Sequence, residues 1–134
     1  MKTTFIISAI VLAFAAGCSK TTNIVPAATL AGEYYGQWSS APGSAPTQPW
    51  YFKIRADHTM VIASTDTDTY SVADSTYYLV PGDSIKCTYR YIHASNTFTI
   101  IGKPNSNYSF ISGTWGSGSN AYNGGTFFMG RKQE

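Results

Sequence analysis

The feature that most constrains this chain is a strict two-residue alternation of apolar and polar side chains. It is clearest in residues 84–91, SIKCTYRY. Successive side chains of an extended strand point to opposite faces, so Ile85, Cys87, Tyr89 and Tyr91 share one face while Lys86 and Arg90 take the other. The pattern recurs. Residues 30–38 place Leu30, Gly32, Tyr34, Gly36 and Trp38 together, and residues 50–55 set Trp50, Phe52 and Ile54 against Tyr51, Lys53 and Arg55. Further short segments follow at 59–63, 69–73, 75–80, 97–101, 110–115 and 126–132. Turn-forming clusters separate them, among them Ala56-Asp57-His58, Pro81-Gly82-Asp83 and His93-Ala94-Ser95-Asn96. No helical periodicity of useful length interrupts the series.

This reads as an all-β domain, a small antiparallel up-and-down barrel of about 8–9 strands, with a β-sandwich as the alternative. Closure removes the unpaired edges that an open meander would expose. Gly32, Gly36 and Gly113 fall inside strands, where glycine permits the tight bends of a closing sheet. The inward positions are bulky: Tyr34, Trp38, Trp50, Phe52, Ile54, Met60, Ile62, Ile85, Tyr89, Tyr91, Phe98, Ile100, Phe127 and Met129. An eight-stranded barrel is just wide enough to be filled by such side chains or to hold one small ligand. A filled core is the simpler expectation.

Aromatic residues make up 15% of the chain and charged residues only 12%, the balance of an ordered β domain. The formal charge of +2, with no run of like charges, argues against a nucleic-acid partner, which demands a clustered basic face.

The first residues have the layout of an export signal: Lys2, then an apolar run from Phe5 to Ala16 broken only by Ser8. That run is too short to span a bilayer, which takes roughly 20 residues. Ala15-Ala16-Gly17-Cys18 follows, small residues leading directly into a cysteine, with Ala15 where the commonest pattern has Leu. The segment resembles the lipobox of bacterial lipoproteins, whose cysteine becomes the lipidated N-terminus. The resemblance implies a signal peptide over 1–17, a lipidated flexible tether over 18–29, and the barrel domain over 30–134. It also implies attachment to a membrane through Cys18. Ser19 after the cysteine, and the lack of acids beyond it, point to the outer membrane, facing the periplasm. With Cys18 committed to lipid, Cys87 has no disulfide partner, and its strand position predicts a buried thiol.

Gly36-Gln37-Trp38 carries a second resemblance. The chain is similar to the calycin group, in particular to small lipocalin-like domains of bacterial lipoproteins, over about residues 30–132. Lipocalins carry Gly-x-Trp on the first strand, with the tryptophan packed across the closed barrel end against an arginine near the last strand. The resemblance therefore implies a barrel-closing set of Gly36, Trp38 and Arg131. The Thr67-Asp68-Thr69-Tyr70 stretch is only similar to a later lipocalin motif and comes too early. The domain is also short for that family, which speaks against a deep chamber.

Catalytic groups are sparse. Glu33 faces away from Tyr34 and Trp38 by alternation, and the other acids lie in turns or at the terminus. Asp66 and Asp68 lack the Gly and the later Glu of a calcium loop. His58 and His93 sit at separate hairpin tips, and nothing fits a metal site or a nucleophile–His–acid arrangement. The expectation is a non-enzyme with no metal and no cofactor. The leading functional reading is a monomeric, lipid-anchored envelope protein that binds a small apolar or amphipathic ligand. Tyr34, Trp38, Trp50, Phe52, Tyr89 and Tyr91 are the candidate ligand-binding residues. The alternative is a filled-barrel scaffold, interaction or inhibitor protein with no small-molecule ligand, presenting outward aromatics such as Tyr35, Tyr51 and Phe128.

Overall fold

The alternating segments become the strands of one barrel. The computed structural model describes residues 30–64, 75–80, 83–91 and 94–133. Its strands are β1 (Gly32–Trp38), β2 (Gln48–Ile54), β3 (Thr59–Ala63), β4 (Ser75–Val80), β5 (Ser84–Tyr89), β6 (Phe98–Pro104), β7 (Phe110–Ser117) and β8 (Gly125–Arg131). Each pairs antiparallel with its neighbour in sequence, and β8 returns to pair with β1, closing the barrel. That closure excludes the sandwich. The anticipated strand at 69–73 lies outside the described residues. Among the described residues the β3–β4 register runs Thr59↔Thr76 and Met60↔Ser75.

Closure depends on backbones coming close at glycine. Gly36 pairs with Met129 across the β1–β8 seam. A Cβ there would meet the Phe128 carbonyl and stand 2.8 Å from Met129 Cα. Gly113 repeats the arrangement on β7, where a Cβ would come within 2.7 Å of Gly102 Cα. Both were anticipated as inward glycines of a bending sheet, and the strand approach explains why no larger residue fits.

The interior is filled. Tyr34, Phe52, Met60, Ile85, Ile100, Ile111 and Met129 are fully buried, and every inward position anticipated from alternation belongs to this core or packs against it. Cys87 is buried among them as a free thiol. Burial pushes its pKa from 9.0 to about 12, so the thiol stays protonated and unreactive.

The two barrel ends differ. At one, here the plug end, β2 turns into β3 within residues 55–58 and β6 into β7 within 105–109. The first turn is fastened by Asp57, whose Oδ1 accepts from the backbone N–H of Thr59 at 3.0 Å and its hydroxyl at 2.7 Å. His58 takes φ 67°, the left-handed conformation that turns usually give to Gly or Asn. The second turn puts Tyr108 at φ 56°, a strained setting for a bulky residue. Asn107 holds it there, its Oδ1 accepting from Ser109 N at 3.2 Å and Ser109 Oγ at 2.7 Å. At the other end, the mouth, the described connections 39–47 and 118–124 are longer.

The outer face corrects one expectation. Tyr51 is only 6% exposed and packs against the half-buried Tyr35, ring centroids 5.1 Å apart, so this pair is not a presented surface. Phe128 is half-buried too, stacked 6.2 Å from Phe110, which is 38% exposed.

Candidate functional site: an aromatic cup at the barrel mouth

Strand alternation delivers one inward aromatic to the mouth from each of several strands. Trp38 ends β1, Trp50 stands near the start of β2, and Tyr89 ends β5 with Tyr91 two residues on. Phe98 opens β6, and Trp115 lies near the end of β7. These six side chains line a solvent-open cup of about 90 Å³. They form an unbroken ring of neighbours. Trp38 meets Trp115 edge-on at 5.0 Å, Trp115 meets Phe98 at 6.2 Å, and Phe98 meets Tyr91 at 5.9 Å. Tyr91 meets Tyr89 at 5.5 Å, Tyr89 meets Trp50 at 6.4 Å, and Trp50 returns to Trp38 at 5.8 Å. Inclined and edge-to-face pairs of this kind each contribute about 0.5–1.5 kcal/mol beyond their burial. Phe52 and Phe127, both buried, pack beneath Trp50 at 5.0 and 5.4 Å.

Two of the three tryptophan N–H groups of the ring bond within the protein. Trp50 Nε1 donates to Tyr91 Oη at 3.4 Å. Trp115 Nε1 donates to the Ser39 carbonyl at 2.9 Å. Ser39 is itself buried and clasps β8: its Oγ accepts from Thr126 N at 2.8 Å and donates to Thr126 O at 3.3 Å. The residue following β1 thus fixes the orientation of a cup wall on β7. Burial drives the Tyr89 phenol far above the ordinary tyrosine range, and the adjacent Tyr91 adds to that shift. Tyr89 is therefore a neutral, apolar-bodied wall rather than an acid or base.

Four of the six residues anticipated for a ligand, Trp38, Trp50, Tyr89 and Tyr91, come together in this cup. Phe52 lies under it, and Tyr34 is at the other end of the barrel. Phe98 and Trp115 were not among them. Phe98 was among the inward positions anticipated and Trp115 was not, although it shares a strand face with Gly113; alternation does not say which strand ends converge.

The barrel-closing set is corrected. Tyr34 pairs with Arg131 in the β1–β8 register, whereas Trp38 pairs with Phe127. Four residues of strand, about 13 Å, separate Trp38 from Arg131. The aromatic that meets the arginine is Tyr34, from Gly32-Glu33-Tyr34, with Arg131 Cζ 5.9 Å from its ring centroid. Tyr34 Oη donates to the carbonyls of Leu30 at 3.0 Å and Tyr108 at 3.2 Å. Arg131 also donates to the Ala31 carbonyl at 2.6 Å. These contacts plug one end, while Trp38 lines the open one. Two Gly-x-aromatic triplets occur on β1, and the resemblance fixed on the second. Gly36 keeps a closing role through its contact with β8, not through an arginine.

A wider, shallower depression of about 660 Å³ lies at the plug end, beside Glu33, Asn107, Arg131 and Lys132. Its charged groups serve the barrel. Glu33 bridges Lys53 at 3.7 Å and Lys132 at 3.4 Å, and Arg131 is held by Ala31 and Tyr34. The mouth cup is the better-formed recognition surface, because apolar walls meet there with few polar atoms in reach.

Cys18, Asp66, Asp68 and His93 lie outside the described residues. His58 is exposed at its turn. Among the described residues no group of three or more His, Cys, Asp or Glu gathers as a metal site. Compared with known proteins, the chain matches no family model, no curated protein and no solved structure.

Proposed function

We propose that the chain is an exported, monomeric lipoprotein of the cell envelope, anchored through Cys18 in the outer membrane and facing the periplasm. Its lipocalin-like barrel binds one small apolar group of a ligand in the aromatic cup. The observation that carries the binding reading is the ring of Trp38, Trp50, Tyr89, Tyr91, Phe98 and Trp115 around about 90 Å³ of open space. That volume holds about three waters at ~30 Å³ each, so it suits a single ring or branched tip and not a whole lipid chain. The small residues leading into Cys18 support the anchor.

All three tryptophans of the chain line the cup, so intrinsic emission reports on this site alone. A series of apolar compounds of increasing size, titrated against that emission, should give saturable shifts for single-ring molecules and none for bulkier ones. Emission that responds to no member refutes the binding reading and favours the second one, a filled interaction barrel meeting a partner through Phe110 and Phe128. For the anchor, Cys18→Ser should abolish incorporation of labelled fatty acid. Continued labelling refutes the lipobox.

A further inference from the structure

Resting on the reading of the cup as a binding site, we infer that it is a cage for a quaternary ammonium group, such as the trimethylammonium head of choline. General apolar pockets mix aliphatic with aromatic side chains. Here, among the described residues, the cup is lined by three Trp, two Tyr and one Phe, with no aliphatic side chain. Rings carry negative faces, and a cation over several of them gains about 0.5–2 kcal/mol or more when desolvated. The neighbouring rings are inclined by 43° to 90° around the circuit, so their faces and edges enclose a volume instead of stacking flat. The space suits a nitrogen with its methyl groups.

The same walls select against a primary ammonium. Such a group brings N–H donors that need acceptors when buried. Among the described residues the lining holds no carboxylate, and its two hydroxyls are engaged within the protein, Tyr91 Oη accepting from Trp50 and the Tyr89 and Tyr91 hydroxyls bonding each other. A quaternary ammonium has no donors to satisfy, so only its diffuse charge has to be matched, and the ring faces match it. The nearest cation in sequence, Arg90, falls between Tyr89 and Tyr91, so alternation turns it to the exposed outer face.

The test is a titration of the full chain, purified in a maltoside detergent, with choline, its neutral isostere 3,3-dimethylbutan-1-ol, and ethanolamine, read by tryptophan emission. Choline should bind at least about fivefold more tightly than the isostere, and ethanolamine more weakly than both. Equal or tighter binding of the isostere overturns the cationic assignment and leaves the apolar cup standing. No response to any of the three overturns both readings. Phe98→Leu keeps the cup apolar while removing a ring face; it should weaken choline more than the isostere, and equal weakening of the two refutes the cage. Vesicles separate the sources of the group. Competition with choline by phosphatidylcholine but not phosphatidylglycerol assigns it to a lipid headgroup, competition by neither assigns it to a soluble molecule, and competition by both overturns the assignment.

Discussion

Gly36→Ala tests whether the barrel is held closed by backbone approach at the β1–β8 seam. The added Cβ would lie 2.7 Å from the carbonyl carbon of Phe128 and 2.8 Å from Met129 Cα, with the Phe128 oxygen closer still. Carbon atoms ordinarily meet at about 3.5–4.0 Å, so the two strands must part by roughly 1 Å. All of the obstructing atoms are backbone, and no rotamer change relieves them. Parting the strands breaks about two ladder hydrogen bonds, at about 1 kcal/mol each, and adds an overpacking cost of about 1–3 kcal/mol. The expected loss is about 3–5 kcal/mol against a total stability of about 5–15 kcal/mol for a domain of this size. The melting temperature should fall by roughly 15 °C or more.

The matched control is Gly43→Ala in the mouth loop 39–47. Gly43 has φ 76°, so alanine is strained there, yet its Cβ would meet nothing within 4 Å. That variant should lose only about 1–2 kcal/mol from backbone strain. Urea denaturation of the two variants beside the parent gives both numbers. A Gly36→Ala loss under about 1 kcal/mol, or one no larger than that of Gly43→Ala, refutes the account of closure.

Two further outcomes follow from the interior. Tyr34→Phe strips the donor shared by the Leu30 and Tyr108 carbonyls and should cost about 1–2 kcal/mol by urea denaturation; a loss under about 0.3 kcal/mol would show that the plug does not depend on that hydroxyl. Cys87, raised by burial from 9.0 to about 12, should resist thiol reagents at neutral pH until the barrel unfolds. Because the folded pKa is the higher one, its contribution is intact below pH 9 and is lost between about pH 9 and 12, by about 4 kcal/mol at the limit. Tyr34 and Tyr89, also raised by burial, act in the same direction from pH 10 upward. Cys87→Ala should make the midpoint less sensitive to pH over 9–12, and an unchanged pH profile refutes the linkage.

Period-two alternation made most of the fold legible, because in a barrel one face of every strand is inside. It assigned Tyr34, Phe52, Met60, Ile100 and Met129 to the core correctly, since burial of one face fixes the register of the whole strand. The same argument failed for Tyr51, an outward residue that is nevertheless buried. Packing over the outer face is a tertiary matter that strand period does not encode. The site was half legible for a related reason. Alternation says that Trp38, Trp115 and Tyr34 all point inward, but position along the barrel axis depends on stagger between strands. Stagger carries Trp38 to the mouth beside Phe98 and Trp115 and leaves Tyr34 with Arg131 at the plug. Tyr108 gave no signal at all, because its strained φ of 56° is imposed by the Asn107 and Ser109 hydrogen bonds around it.

The filled interior and the difference between the ends bear on each other. With Phe52, Met60, Ile100 and Met129 occupying the axis, recognition has no room inside the barrel and must take place at an end. The plug end is taken by Leu30, Tyr34 and Arg131, whose polar atoms are turned onto the protein's own carbonyls. Of the two ends, the mouth is the one where the described residues leave apolar ring faces open. Leu30 lies at the plug end, so under the proposed anchoring the cup and the point where the tether joins the domain are at opposite ends of the barrel. Twelve tether residues reach at most about 40 Å, enough to hold the mouth clear of the headgroups and aim it into the surrounding compartment. Shortening that tether should therefore leave soluble choline binding unchanged and diminish only competition from the membrane that carries the anchor. A loss of soluble binding on shortening would mean that the cup lies at the anchored end, and would overturn this polarity.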